Sequence, residues 1–177
     1  ALLSDEQGGF GLEAADAFDL MRIAAAQAAP LPMAETMAAN WLLAQAGLPL
    51  AEGPASFAIA KGGALLRRVA WAGQVECLVV VDGDRVHRLT KGQFSLGAQT
   101  NAYWPRWDVT VDLSAGQAAT LAGATDTAFN LGALMRVMEM AGALQRIVDV
   151  TVSYANDRVQ FGKPIGKFQA IQQQMAV

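Results

Sequence analysis

Apolar positions recur along this chain in three textures. From Glu13 to Ala29 the residues Ala14, Ala17, Phe18, Met21, Ala24, Ala25 and Ala28 fall on one helical face, and Pro30 and Pro32 predict the helix end because proline cannot donate to the ladder. A second helix is predicted from Met33 to Ala46, with Met37, Trp41 and Ala44 on one side and Gly47 as its stop ahead of Pro49. Between Gly53 and Thr125 the texture changes to short β-prone runs, "SFAIA", "RVAWA", "ECLVVVD", "RVHRL" and "DVTVD". In "VVVDGDRVHRL" an Asp-Gly pair stands between two such runs and predicts a tight hairpin, since glycine supplies the positive φ that primed turns need. Roughly four or five short strands suggest a small barrel or sandwich. Beyond Asp126, read as an N-cap, helical periodicity returns. Leu134, Val137, Ala141, Leu144, Val148, Thr151 and Ala155 alternate three and four apart, the seam of a helix in a bundle, with Arg136, Glu139, Arg146 and Asp149 mainly off it. A loop from Arg158 to Gly166 leads into "KFQAIQQQMAV", the start of a further helix. The fold class is α+β: N-terminal helices over 1–53, a middle β section over 54–125, and the start of an antiparallel helical bundle over 126–177.

Composition narrows the functions open to such a fold. The chain has 177 residues, of which 53% are hydrophobic, enough for a real core, and a formal net charge of −3. Its basic residues are scattered, which argues against nucleic acid and against a polybasic membrane patch. The single Cys77 lies in an apolar run and reads as a small buried hydrophobe; the lone His87 reads as an exposed strand residue, and neither builds a zinc site. No apolar run is long enough to span a bilayer and "ALLSDEQGGFG" lacks the pattern of a signal peptide, so the expected compartment is the cytoplasm. A first residue Ala followed by loop-like "SDEQGG" suggests a stretch of a longer protein, truncated at both ends.

The densest chemistry lies in "NDRVQFGKPIGKFQ", Asn156 to Gln169. Arg158 alone is explained as a cation at the negative end of a helix dipole. Its neighbours suggest a second role: Gly162 beside Phe161, Lys163-Pro164 stiffening the turn, and Gln169 entering a new helix could together hold a phosphate and a flat ring. Arginine offers a planar fork to pyrophosphate oxygens, phenylalanine an apolar wall, and glutamine both a donor and an acceptor.

"YANDRVQFGKPIGKFQAIQQQMA", preceded by "MAGALQRIVDVTVSYA", resembles the opening of the C-terminal helical domain of acyl-CoA dehydrogenases, with the pattern Y-x-x-x-R-x-Q-F-G-K-P-I-x-x-F-Q met from Tyr154 to Gln169. "SDEQGGFGL" resembles the same family's E-x-x-G-G-x-G-L loop. The resemblance implies FAD between the β domain and the C-terminal helices, with Arg158, Gln160, Phe161 and Gln169 as the residues that reach the FAD of a neighbouring subunit. It further implies an acyl-CoA substrate, oxidation to the 2-enoyl-CoA by proton and hydride removal, electron-transferring flavoprotein as the electron acceptor, and a homo- or hetero-oligomer, a tetramer built as a dimer of dimers.

Several departures limit what this stretch does by itself. The family's usual catalytic glutamate is expected beyond Val177, and at the alternative place on the long helix this chain has Gly132, followed by Ala133 where an arginine often contacts CoA. Glu139, on the far side from the Leu134/Ala141 seam, reads as an exposed helix carboxylate. The family's T-E-P-x-A-G-S-D stretch is replaced by "SFAIAKGGALLRRVAWAGQ", in which Trp71 is either a flavin-side tryptophan or a structural one. "YWPRW" could line a pocket, or Trp104 and Trp107 could serve as core or interface anchors. Two readings follow: a subunit that takes part in catalysis, and a degenerate, non-catalytic partner that completes the FAD site of an active chain in a mixed oligomer.

Overall fold

The computed structural model describes residues 2–100 and 105–176. Two helices, α1 (Ala14–Ala26) and α2 (Met33–Gln45), precede seven strands: β1 (Ala55–Ile59), β2 (Leu65–Ala70), β3 (Cys77–Asp82), β4 (Arg85–Thr90), β5 (Phe94–Thr100), β6 (Arg106–Val111) and β7 (Gln117–Thr120). A long helix α3 (Ala124–Asp157), a two-residue-per-strand hairpin β8 (Val159–Gln160) and β9 (Lys163–Pro164), and a short α4 (Gln169–Met175) complete the order.

The strands form two sheets, β1-β3-β4-β7 and β2-β6-β5, so the β section is a sandwich. All pairings in it are antiparallel except β1 with β3, which run parallel. Because successive strand residues point to opposite faces, β3 serves two cores. Cys77, Val79 and Val81 face Leu42 and Leu43 of α2 and Ala124 and Ala128 of α3, while Leu78 and Val80 meet Leu66, Val109 and Val111 of the other sheet. A strand covered on both faces must be apolar at every position, which "CLVVV" is. Each fully buried valine or leucine among them contributes about 1.5–3 kcal/mol of burial. Cys77 is buried with them, and burial holds its thiol above the ordinary value.

The β3–β4 hairpin is tighter than the Asp-Gly reading. Asp82 pairs with Arg85, which leaves Gly83 and Asp84 as the two loop residues. Positive φ at Gly83 alone marks a II′ turn, with glycine in the first central position. This loop also fixes the start of α3: the Gly123 N–H donates to Asp84 Oδ1 at 3.0 Å, and Thr125 Oγ1 donates to the Gly83 carbonyl at 2.8 Å. The helix therefore begins at Ala124 with Gly123 as N-cap, and Asp126 stands in its first turn instead of capping it.

Three expectations are corrected. His87 is 7% exposed, not an open strand residue, because its Nδ1 lies 3.1 Å from the Leu113 carbonyl that crosses above β4. Strands β5 and β7 join the sheets although "FSLGAQT" and "QAAT" carry little β-branched or alternating signal; both are edge strands. Finally, the Leu134 to Ala155 seam of α3, read as that of a helix in a bundle, does not turn toward α1 and α2, and of its residues only Ala155 is buried. Leu134, Val137, Leu144 and Val148 are 41–62% exposed, and the buried stripe runs through Ala124, Ala128, Met135 and Gly142. The helix carries two apolar stripes, and α1 selects the one containing Gly142, where a backbone can come closest. Met135 there joins Met21, Ala34 and Ala38 in a core shared by α1, α2 and α3. Among the described residues no helix is long and apolar enough to cross a membrane.

Candidate functional site

The end of α1, the β2–β6 region and the middle of α3 enclose a cleft of about 910 Å³. Its apolar walls are Ala25, Ala28, Pro30, Trp71, Met140 and Ala143; its polar groups are Gln74, Arg106, Arg136 and Glu139. The geometry begins with glycine. A Cβ on Gly142 would lie 2.0 Å from the Arg22 carbonyl oxygen, so only glycine lets α3 touch the backbone of α1 and hold that wall in place. Trp71 is 6% exposed and closes the floor from the end of β2, in left-handed conformation at φ 60°, with its backbone N–H donating to the Pro105 carbonyl at 2.8 Å. It is thus buried and also faces the cleft.

One ion network crosses the wall. Arg136 Nη2 donates to Glu35 Oε1 at 2.6 Å, and its Nη1 donates to Glu139 Oε2. Glu35 is 2% exposed and would be costly without this partner. Burial pulls the Arg136 guanidinium down, but Glu35 and then Glu139 outweigh it and hold it above its ordinary value. Burial wins at Glu139, whose carboxyl is raised despite the pull of Arg136. Glu139 is therefore not an exposed helix carboxylate: its side chain is 20% exposed and lines the cleft. Its misplacement follows from the seam, since a residue opposite the exposed stripe is carried inward. Periodicity could not reveal Glu35 either; a single acid in an alanine-rich helix resembles ordinary first-turn decoration. One turn before Arg136, a Cβ on Gly132 would come 3.3 Å from Phe57 Cζ, and Ala133 is exposed.

The Arg158 cluster stands elsewhere. Arg136 and Arg158 are 22 positions apart on one helix and its cap, about 33 Å at 1.5 Å per residue. Arg158 ends α3, its N–H donating to the Tyr154 carbonyl, and its carbonyl accepts from Ile165 N–H at 2.8 Å. Val159–Gln160 and Lys163–Pro164 then pair around Phe161 and Gly162, both with positive φ, the form of a I′ turn. Phe161 is 93% exposed, its ring edge-on to Phe168 at 6.2 Å, and Lys163 Nζ sits 4.4 Å from the Phe168 ring centre. The Arg158 guanidinium makes no hydrogen bond or ion pair among the described residues, and the Gln160 side-chain amide donates only to the Val159 carbonyl among them, at 2.8 Å. Gln169 opens α4, exposed. The hairpin thus brings Arg158, Gln160 and Phe161 to one protruding end, followed by Gln169, away from the cleft. An uncommitted guanidinium beside an uncovered ring fits the phosphate and ring of a dinucleotide. Trp104 lies outside the described residues, and Trp107 is half-buried, packed against the inter-sheet core, with its ring 2.7 Å from where a Cβ on Gly73 would be.

Among the described residues no three His, Cys, Asp or Glu side chains gather to hold a metal. The family model for the C-terminal domain of acyl-CoA dehydrogenases matches residues 122–177. Over 183 residues the chain is 31% identical to acyl-CoA dehydrogenase IpdE2 of Mycolicibacterium smegmatis, covering 99% of this chain and 55% of that protein. The chain thus spans about half the length of that relative. Among solved structures, the Tcur3481-Tcur3483 steroid ACAD superposes with a TM-score of 0.81 at 20% identity, over 99% of this chain and 59% of the other. The ChsE4-ChsE5 complex of Mycobacterium tuberculosis superposes with a TM-score of 0.76 at 20% identity, over 97% and 58%.

Proposed function

The chain belongs to the acyl-CoA dehydrogenase family, and on that premise we propose that it is a subunit of an FAD-dependent enzyme that oxidises an acyl-CoA thioester to the 2-enoyl-CoA. The carrying observation is the protruding β8–β9 hairpin, which presents Arg158, Gln160 and Phe161 away from this chain's own cleft. Such a handle suits a cofactor seated mainly on a neighbouring subunit. Arg158 would bind the pyrophosphate, Phe161 would cover a ring, and Gln160 and Gln169 would orient it through their amides. FAD, when bound, accepts the hydride taken from the substrate.

The assembly in this reading is an oligomer, a dimer of dimers in the cytoplasm, with electrons leaving to electron-transferring flavoprotein. The exposed Leu134, Val137, Leu144 and Val148 stripe supports it, because apolar surface of this extent calls for a covering partner. The test is Arg158→Ala in the assembled oligomer. Loss of a charge-assisted contact lowers FAD retention about tenfold or more; unchanged flavin absorbance per chain refutes the assignment.

A second reading, a partner that completes the site of an active chain without doing chemistry itself, is favoured by Gly132. At that place on α3 a Cβ already approaches Phe57 to 3.3 Å, so no carboxylate side chain stands where a base could. The ChsE4-ChsE5 complex, built from two named components, is a fold relative for which a mixed assembly is known. Purifying the full-length protein alone and with a catalytic partner separates the readings: turnover by the chain alone supports the first, and turnover only with the partner supports the second.

A further inference from the structure

We propose that Glu139 is a specificity-determining residue of the cleft between α1, the β section and α3, and that it selects an acyl group carrying a hydroxyl. The inference rests on the acyl-CoA reading above and on the cleft as the seat of the acyl group. Ala25, Ala28, Pro30, Met140 and Ala143 wall the cleft with small or flexible apolar side chains, which suit the body of such a group. Into that wall α3 turns one carboxylate. Its Oε2 is taken by Arg136 Nη1, and its Oε1 accepts no hydrogen bond among the described residues. A partly buried oxygen left in this way is costly until a donor meets it, and a ligand hydroxyl is such a donor.

Charge decides what kind of donor fits. Arg106 and Arg136 bring two positive charges to this region, and Glu35 and Glu139 bring two negative ones. The four cancel, so an acyl group with its own carboxylate or ammonium would leave one charge unbalanced, whereas a neutral hydroxyl would not. A purely structural Glu139 is a weaker account. Arg136 is already paired with Glu35, which is 2% exposed and needs it, so a second carboxylate is not required to hold α3 against α2. It is also disfavoured there, since burial and the nearby Glu35 charge raise the Glu139 carboxyl by more than Arg136 offsets. Arg136 fixes Glu139 from three positions away on α3, and Glu35 fixes Arg136 from α2. Glu35 is therefore a positioning residue that keeps the carboxylate aimed at the cleft.

The test uses the full-length protein in its assembled oligomer, titrated without an electron acceptor with octanoyl-CoA, its monohydroxy isomers and the matching oxo isomers, and followed by calorimetry. At least one hydroxy isomer binds about ten- to a hundredfold tighter than octanoyl-CoA. Glu139→Leu removes that preference and leaves octanoyl-CoA bound at least as tightly. Should Glu139→Leu fail to fold, Glu139→Gln carries the test: its amide presents a donor to the cleft, and the preference moves from the hydroxy to the oxo isomer. In the unaltered protein the hydroxy-over-oxo preference also falls as pH drops through the raised Glu139 value, because a protonated carboxyl donates. The charged groups that face it are Arg136 on α3, Glu35 on α2 and Arg106 on β6. A structural Glu139 leaves this ratio flat. Equal affinity for octanoyl-CoA and every isomer, or a hydroxy preference that survives in either variant, overturns the proposal. Binding of no acyl-CoA at all overturns the acyl-CoA reading together with it. FAD retention, which reads the Arg158 handle, remains a separate measurement.

Discussion

Replacing Gly142 by alanine sets two opposed effects against each other. In a helix interior, alanine is favoured over glycine by about 1 kcal/mol, so an isolated α3 would gain. In the folded chain, however, the new Cβ would stand 2.0 Å from the Arg22 carbonyl oxygen, 2.9 Å from its carbon and 3.0 Å from the Ala26 nitrogen. All three are backbone atoms of α1 and cannot rotate away. To restore a normal contact, α1 must retreat by roughly an ångström along its whole face, loosening Met21 and Ala17 from α3. Overpacking of this kind costs about 1–3 kcal/mol, and an obstruction made of backbone belongs at the upper end. The net expectation is a loss of about 2 kcal/mol, which lowers Tm by about 4–8 °C for a domain of this size. Ala25 and Ala28 move with α1, so the cleft changes shape as well. Thermal and urea unfolding monitored by circular dichroism measure the effect. An unchanged or raised Tm would show that helix propensity dominates and would refute the close approach of the two backbones.

The remaining predictions concern the charged wall and the turn. Glu35→Ala removes one of two carboxylates from Arg136 and leaves its pair with Glu139, so the expected loss is about 1–3 kcal/mol, seen as a lower urea midpoint. Glu139 is raised above the ordinary carboxylate value of about 4.3, so its ionisation opposes folding: its contribution is full below that value and is lost as pH rises through the raised one. Glu139→Gln flattens this part of the stability-versus-pH curve while keeping a hydrogen-bond acceptor for Arg136; an unaltered slope would contradict the burial of Glu139. Phe161→Gly relieves a positive φ of 51° and raises stability by about 1 kcal/mol while FAD retention falls, a pair of opposite changes that a purely structural Phe161 would not produce.

The sequence made some features plain and hid others for identifiable reasons. Helices α1 and α2, the Gly47 stop and the strands β1 to β4 and β6 are written in local periodicity and punctuation, which dominate where an element has one buried face. Edge strands β5 and β7 are selected by pairing with their neighbours, and "FSLGAQT" carries no local sign of that. On α3 two stripes competed, and the choice was made by backbone proximity at Gly142, a tertiary fact invisible to a helical wheel. The inward turn of Glu139 follows from the same choice, as does the pairing of Arg136 with Glu35, 101 positions away. The Arg158 motif was legible because the I′ turn needs its residues contiguous.

The reach of α3 from Gly142 to Arg158 has one more consequence. Gly142 fixes the rotation of the helix against α1, and the rigid rod transmits that rotation to the hairpin. Deleting a single residue between them would turn the hairpin by about 100° and draw it back about 1.5 Å. Homologous chains can therefore exchange side chains freely along this span, but insertions and deletions within it are tolerated only where they restore the angular phase.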